Sequence, residues 1–245
     1  MNTYIIINSF TTPEENIAVE EFLFSSKNTF FEKYNLLRIW ECDEYFIVLG
    51  SSQKVQDEVF LDVCRQEGIK IIRRCSAGGA VLQGPGCINY SLFLDLVLYP
   101  QLRNIRESYY ILLSPLISVL RNNYGLHTTI KGISDICFNN KKFSGNAQRR
   151  SSRVLLHHGT ILYSVNYDLM ERVLRIPQKQ PEYRDGRNHR DFVGTLPLSK
   201  EQIIDTIFTA FGKDTISFSL SNKNIEDIKN LAINKYSNLD WNYRR

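Results

Sequence analysis

The chain has 245 residues, 43% of them hydrophobic, and 30 Lys and Arg against 26 Asp and Glu give a formal net charge of +4. That is enough apolar material for one large core or two small ones. The charge is too small and too scattered for a nucleic-acid binder, and five cysteines without regular spacing argue against a disulfide framework or a zinc site.

The opening stretch MNTYIIINSF lacks the basic and long apolar regions of a signal peptide. The longest apolar run, Tyr109 to Leu120, is too short for a bilayer and carries Pro115. These features predict a soluble, reduced, cytoplasmic protein that does not engage membranes. No repeat, linker or domain boundary is visible, so residues 1–245 read as one unit.

Tyr4 to Asn8 reads as a first strand, and Thr12-Pro13-Glu14-Glu15 as the start of a helix that turns Ile17, Ala18, Phe22 and Leu23 towards a core. Leu36 to Trp40 and Tyr45 to Leu49 follow as strands, and Asp57 to Glu67 as a short helix ended by Gly68. Ile69 to Ile72 and Ile88 to Asp95 are strands flanking a glycine-rich stretch. Glu107 to Asn123 is a helix that Pro115 bends or starts. His127 to Lys131 is a strand, and Ser134 to Phe138 with Lys142 to Gln148 form a hairpin turned at Asn139-Asn140-Lys141. Arg153 to Val165 is a long β run, and Asn166 caps a helix from Tyr167 to Arg175. Residues 176–197 form a polar loop rich in Arg and Pro. Ser199-Lys200-Glu201-Gln202 is a capping box for a helix to Phe211, and a last helix covers Ile225 to Tyr236. Many strands joined by short turns predict an α+β fold: a mixed, largely antiparallel sheet with helices packed on it.

The chain is organised around IIRRCSAGGAVLQGPGCINYSLFLD, Ile71 to Asp95. Glycines let backbone approach a ligand, and the freed N–H groups beside Arg73 and Arg74 suit an anion. Two readings stand: a binding loop, or a glycine-rich hairpin with solvated arginines. The stretch is neither a Walker loop nor a GxGxxG fingerprint. In KGISDICFNNKKFSGNAQRR, Lys142 precedes the turn Ser144-Gly145-Asn146, with Asp135 on the neighbouring strand. Such a lysine clamps a phosphate or polarises a carboxylate, or else is a solvated turn residue beside Lys141. His157 and His158, adjacent on a strand, point to opposite faces. There is no HExxH or GxSxG motif, and Cys137 sits in an apolar strand that favours an inert thiol.

Taken in order, RRCSAGGAVLQGPGCINYS, KGISDICFNNKKFSGNAQRR and LLHHGTILYSV resemble the lipoate–protein ligase A family, within the wider biotin/lipoate ligase and octanoyltransferase group. NIAVEEFL and RIW…FIVLGSSQ fit the same pattern, so the resemblance runs from about Asn16 to Leu198. It implies a class II synthetase/biotin ligase-like fold. It also implies activation of lipoate by ATP with Mg2+ to lipoyl-AMP, then transfer to a lysine of an acceptor. The implied acceptors are the apo lipoyl domains of 2-oxo acid dehydrogenase complexes (E2) and the glycine-cleavage H protein.

The resemblance assigns residues as well. Lys142, in K-x-S-G-x-A with Ser144, Gly145 and Ala147, matches the family's key lysine. Arg73, Arg74, Ser76, Ala77, Gly78, Gly79 and Ala80 match the loop RRxSGGGAV that lines the lipoyl tunnel. Asn89 and Asp135 match polar positions on the adenylate side, and His158 and Gly159 belong to the HHGT block. The stretch Tyr183 to Arg190, with Arg184 and Arg187, takes the place of the loop that folds over the adenylate. Its arginines predict electrostatic docking of an acidic acceptor.

Three departures stand out: Ala77 for the first glycine of the triplet, Leu82-Gln83 for an aromatic and a histidine, and Ile133-Ser134 for Arg-Asn before the aspartate. A cysteine-dependent octanoyl- or lipoyltransferase working without ATP is the main alternative, but the stretch His127 to Ser134 lacks the cysteine one branch of transferases carries there. A non-catalytic carrier-binding protein is the other. The resemblance fades near Leu198, so no accessory C-terminal domain is expected, and adenylation is expected to be slow or to need a separate small protein.

Overall fold

The computed structural model describes residues 3–7, 9–30, 35–212 and 215–245. In chain order the elements are β1 (Thr3–Ile7), α1 (Pro13–Phe30), β2 (Asn35–Trp40), β3 (Phe46–Leu49), α2 (Val55–Glu58), α3 (Leu61–Gln66), β4 (Lys70–Arg73), β5 (Val81–Gln83), β6 (Cys87–Asp95) and α4 (Ile105–Tyr124). They continue as β7 (Thr129–Lys131), β8 (Asp135–Phe138), β9 (Lys141–Arg150), β10 (Val154–Leu162), α5 (Tyr167–Val173), α6 (His189–Phe192), α7 (Lys200–Phe211), β11 (Thr215–Ser217), α8 (Asn222–Leu231) and α9 (Leu239–Asn242).

The large sheet runs β11-β1-β2-β6-β10-β9-β8-β7, parallel where β1 meets β2 and β11 and antiparallel elsewhere. A small sheet, β4-β3-β5, stands apart from it. The α+β expectation holds, with two sheets in place of one.

Alternation along β2, β6 and β10 sends side chains to two apolar layers. Leu37, Ile39, Ile88, Leu92 and Leu155 join α4 and α7 on one face through Leu113, Leu116, Ile203 and Ile207. Leu36, Phe93 and Leu156 meet α1 and α8 on the other through Ala18, Leu23 and Ile228. β6 is buried along its whole length because both faces are covered.

Several boundaries differ from expectation for identifiable reasons. Asn8, expected to end the first strand, lies outside the described residues. The helix expected over 57–67 breaks at Val59 and Phe60, because Val59 pairs with Leu174 and the Phe60 N–H donates to Val173 O at 3.0 Å. α4 runs unbroken through Pro115, held by the buried Leu112, Leu113, Leu116 and Leu120 on either side. Asn139 and Asn140 both take positive φ (49° and 60°), which makes a two-residue hairpin turn and leaves Lys141 in the strand. The loop 176–197 contains a 3₁₀ turn and α6, organised by the Arg184 and Arg187 guanidiniums lying 4.6 and 5.3 Å from the Phe192 ring centre. The last helix gives way to a π turn at Ala232–Tyr236.

Candidate active site

One row of cross-strand neighbours builds the floor of the site: Arg38 on β2, Ser91 on β6, His158 on β10 and Ala147 on β9. Their side chains face α1. Arg38 is fully buried and donates to Glu20 Oε1 at 2.9 Å. Glu20 also accepts from Ser91 Oγ at 2.7 Å and lies 3.5 Å from His158 Nδ1. Burial raises the Glu20 pKa, but the His158 hydrogen bond, the Arg38 charge and Ser91 outweigh it and hold the carboxyl at about 2. The ionised Glu20 accepts from the Nδ1–H of His158, which leaves Nε2 of the neutral ring as an acceptor. Nε2 lies 2.7 Å from Ser76 Oγ, so the serine hydroxyl donates to it.

Ser76 opens the glycine-rich loop, and Arg74 holds that loop from inside. Its guanidinium donates to Ser76 Oγ (3.0 Å), Ala77 O (2.8 Å) and Gly79 O (3.0 Å). Gly78 has φ of +108°, and a Cβ there would lie 2.6 Å from Arg74 Nη2, so the loop closes over its arginine only with glycine at this place. The same Cβ would lie 3.4 Å from the Ala147 Cβ, which puts the loop directly above β9.

Further along the sheet, Lys142 Nζ lies 2.8 Å from Asp135 Oδ1. β8 and β9 pair Asp135 with Gly145, and a register shift between Ile136 and Cys137 turns Lys142 to that side. Gly145 supplies the space: a Cβ on it would be 2.8 Å from Lys142 Nζ. Tyr183, from the covering loop, donates to Asp135 Oδ2 at 2.6 Å. Lys142 O accepts from the Gly194 N–H at 2.9 Å, so the same loop is tied to the β9 backbone.

The structure brings Arg74, Ser76, Ala77, Gly78, Gly79, Ala147 and His158 into one cluster, and Lys142, Asp135 and Gly145 into a second beside it. Ala80, partly buried, packs against the core of the small sheet. Asn89 is buried against Gln83, at 2.7 Å. Ser144 bonds Asn146, and Gly159 faces Asn146 and Tyr90.

Arg73 points elsewhere. Its N–H donates to Asn242 Oδ1 (2.9 Å), its Nε to Asn242 O (3.1 Å), and its C=O accepts from Trp241 Nε1 (2.8 Å). The arginines of the stretch expected to dock an acceptor, 184–190, also make internal bonds: Arg184 is buried, Arg187 donates to Tyr183 O and Asn140 O, and Arg190 is ion-paired with Asp168. Burial pushes all five cysteine thiols up, Cys64 to about 11.

Sequence reasoning did not find Glu20, Arg38 and Ser91. The signal available was polar residues (Glu20 on an apolar helix face, Arg38 inside an apolar strand) at places that must be buried.

Comparison with known proteins identifies the family. The family described as lipoyl protein ligase A/B catalytic domain matches residues 12–211. Lipoate–protein ligase 1 of Staphylococcus aureus is 26% identical over 250 residues, spanning 99% of this chain and 73% of that protein. A structure of a lipoate–protein ligase A bound with ATP superposes with a TM-score of 0.83 at 21% identity, over 99% of each chain. A bi-partite lipoate protein ligase from Thermoplasma acidophilum, described with its E2 lipoyl domain, gives 0.82 at 22% identity over 99% of this chain and 95% of that one. These likenesses of fold, with a family match over most of the chain, place this protein in the lipoyl protein ligase A/B catalytic domain family.

Proposed function

We propose that this protein is an ATP-dependent lipoate–protein ligase. The observation that carries the reading is the Lys142–Asp135 pair on β8–β9, set beside a glycine-rich loop fixed by Arg74, Ser76 and His158. In the first step a lipoate carboxylate oxygen attacks the α-phosphorus of ATP, and the bond to pyrophosphate breaks. In the second a lysine amine attacks the acyl carbonyl, AMP leaves, and the amine proton is released. Both transition states gather negative charge on oxygen, and a fixed ammonium next to backbone N–H groups stabilises it. Asp135, itself held by Tyr183, orients that ammonium.

We propose that Mg2+ enters with the ATP phosphates. Among the described residues no group of three or more His, Cys, Asp or Glu could hold a metal, and Mg2+ commonly takes one or two carboxylates with substrate phosphates. Both Asp135 oxygens are engaged, by Lys142 and Tyr183, so the ion would be held mainly through the phosphates, whose charge it would neutralise. The acceptor class is an apo lipoyl domain, supported by the Thermoplasma likeness, and the H protein is a second acceptor of the same chemistry. Because that similar ligase is described as bi-partite, adenylation here is proposed to draw on a separate small protein. Among the described residues no helix is long and apolar enough to cross a membrane.

Separate half-reactions test this. Transfer from preformed lipoyl-AMP to an apo lipoyl domain should be efficient with the protein alone. Lipoate-dependent pyrophosphate release should be slower. Failure of transfer from the adenylate would refute the ligase reading, and equal rates in both would refute the need for a partner.

A further inference from the structure

β3 and β4 are parallel partners with Leu49 opposite Arg73, so the turn after β3 and the glycine-rich loop after β4 leave the small sheet side by side. The two touch through backbone. The Ser51 N–H donates to Ser76 O at 2.8 Å, and the Arg74 N–H to Leu49 O at 2.9 Å. Gly50 comes closest. It is not among the glycines with positive φ, so no left-handed turn requires glycine there. Space does: a Cβ on Gly50 would lie 2.0 Å from Gly78 O and 3.2 Å from Gly78 N. The obstacle is backbone, so any side chain at residue 50 has to move the glycine-rich loop itself.

Arg73 fixes the shape of this turn. Its Nη1 donates to Gly50 O at 2.9 Å and to Gln53 O at 2.7 Å, which spans both ends. Gln53 Oε1 accepts from the Gly50 N–H at 2.7 Å, and Arg244 Nη2 donates to Ser51 O at 2.9 Å. Among the described residues every side-chain hydrogen bond of Arg73 goes to a main-chain carbonyl, and its Nη2 makes none. A fully buried guanidinium without an anion is unfavourable. Burial first, then the Arg244 and Arg245 charges, lowers its pKa. What the residue provides is geometry: one planar fork joins β4, the turn and the C-terminal segment.

We infer that Gly50 and Arg73 are positioning residues for the acyl substrate: through the Gly50–Gln53 turn they set how the glycine-rich loop stands over β9, where Gly78 faces Ala147. The inference rests on the ligase reading above. Lys142 and Asp135 belong to the other sheet and keep their own pairing when the turn shifts. A displaced turn therefore acts on the group that the loop holds, and not on acceptor binding.

The test compares wild type with Gly50→Ala, Arg73→Met and Arg73→Lys in transfer from preformed lipoyl-AMP to an apo lipoyl domain. KM is measured for each substrate separately, and thermal melts check that each variant is folded. For Gly50→Ala and Arg73→Met the KM for lipoyl-AMP should rise about tenfold or more, with the KM for the domain unchanged. Arg73→Lys keeps one donor for Gly50 O and Gln53 O but loses the bond to Asn242 O, so it should restore the KM while still melting early. Gln53→Ala, at a half-buried place, removes only the acceptor for the Gly50 N–H and should raise the same KM about threefold; it decides the matter if the other variants do not fold. A wild-type KM for lipoyl-AMP in the folded variants overturns the inference alone. So does a fall in kcat with both KM values unchanged, the mark of a merely structural role, and so does an equal rise in both KM values. A wild type that transfers nothing overturns the inference together with the ligase reading.

Discussion

Lys142 is held 2.8 Å from Asp135 across the β8–β9 hairpin, over a residue with no side chain. The pair is partly exposed, 30% for the lysine and 12% for the aspartate, so it is open to a ligand. Lys142→Ala should lower kcat by about 10²-fold with the fold intact. Gly145→Ala is the subtler variant. The new methyl group would meet only the flexible end of Lys142, so stability should change by less than about 1 kcal/mol. The ammonium would be displaced, and kcat/KM should fall about tenfold or more. Thermal melts alongside steady-state rates separate the two effects.

The base of the glycine-rich loop is clasped from the far side. β4 is an edge strand, and Trp241 and Asn242 take the outward C=O and N–H of Arg73. Trp241→Phe removes one hydrogen bond and should cost about 1 kcal/mol, whereas Asn242→Ala strands a buried N–H and should cost about 1–3 kcal/mol. Both should speed hydrogen exchange in residues 74–79 while β6 and β10 stay protected, which mass spectrometry of exchanged peptides resolves.

Acid stability should fall in two stages. His157 is fully buried between Tyr109 and Gln148, and burial first, then His158 and Arg150, lowers its pKa from 6.5 to about 3. The unfolded chain therefore binds this proton first. The contribution is complete above pH 6.5 and is lost as pH falls towards 3, at up to about 1.4 kcal/mol per pH unit. Glu20, lowered from 4.5 to about 2, adds a loss that begins only below pH 4.5. His157→Gln should flatten the slope of urea midpoint against pH between 6.5 and 4.5. Glu20→Gln should cost about 3–5 kcal/mol at neutral pH, because it leaves Arg38 buried without its partner.

Single serine substitutions at Cys75, Cys87 or Cys137 should retain transfer activity. Their thiols are pushed up by burial, and an adenylate route needs no thiolate. Loss of activity in a folded variant, with a trapped acyl thioester, would contradict this.

Local chemistry was what the sequence displayed most clearly. Asn139-Asn140 announced its turn, Ser199 and Gln202 their capping box, and the adjacent histidines do part, His157 towards α4 and His158 towards Glu20. Lys142 and Asp135 were legible because a hairpin fixes neighbours across a short turn. Contacts between distant segments were not. Arg73 and Arg74 stand side by side in sequence, yet one is turned to the C-terminal segment and the other into the loop, a division set by the small sheet's edge. The same holds for Glu20, whose role depends on a row of side chains from three separate strands.

The central claim is ATP-dependent attachment of lipoate to protein lysine. Intact-mass measurement of an apo lipoyl domain, incubated with this protein, lipoate and Mg-ATP, tests it most directly, against a control with octanoyl carrier protein and no ATP. The account predicts one lipoyl group per domain in the first reaction, formed slowly without a partner, and none in the control or with Lys142→Ala. Octanoyl transfer in the control, with no lipoyl product when ATP and lipoate are supplied, would contradict it.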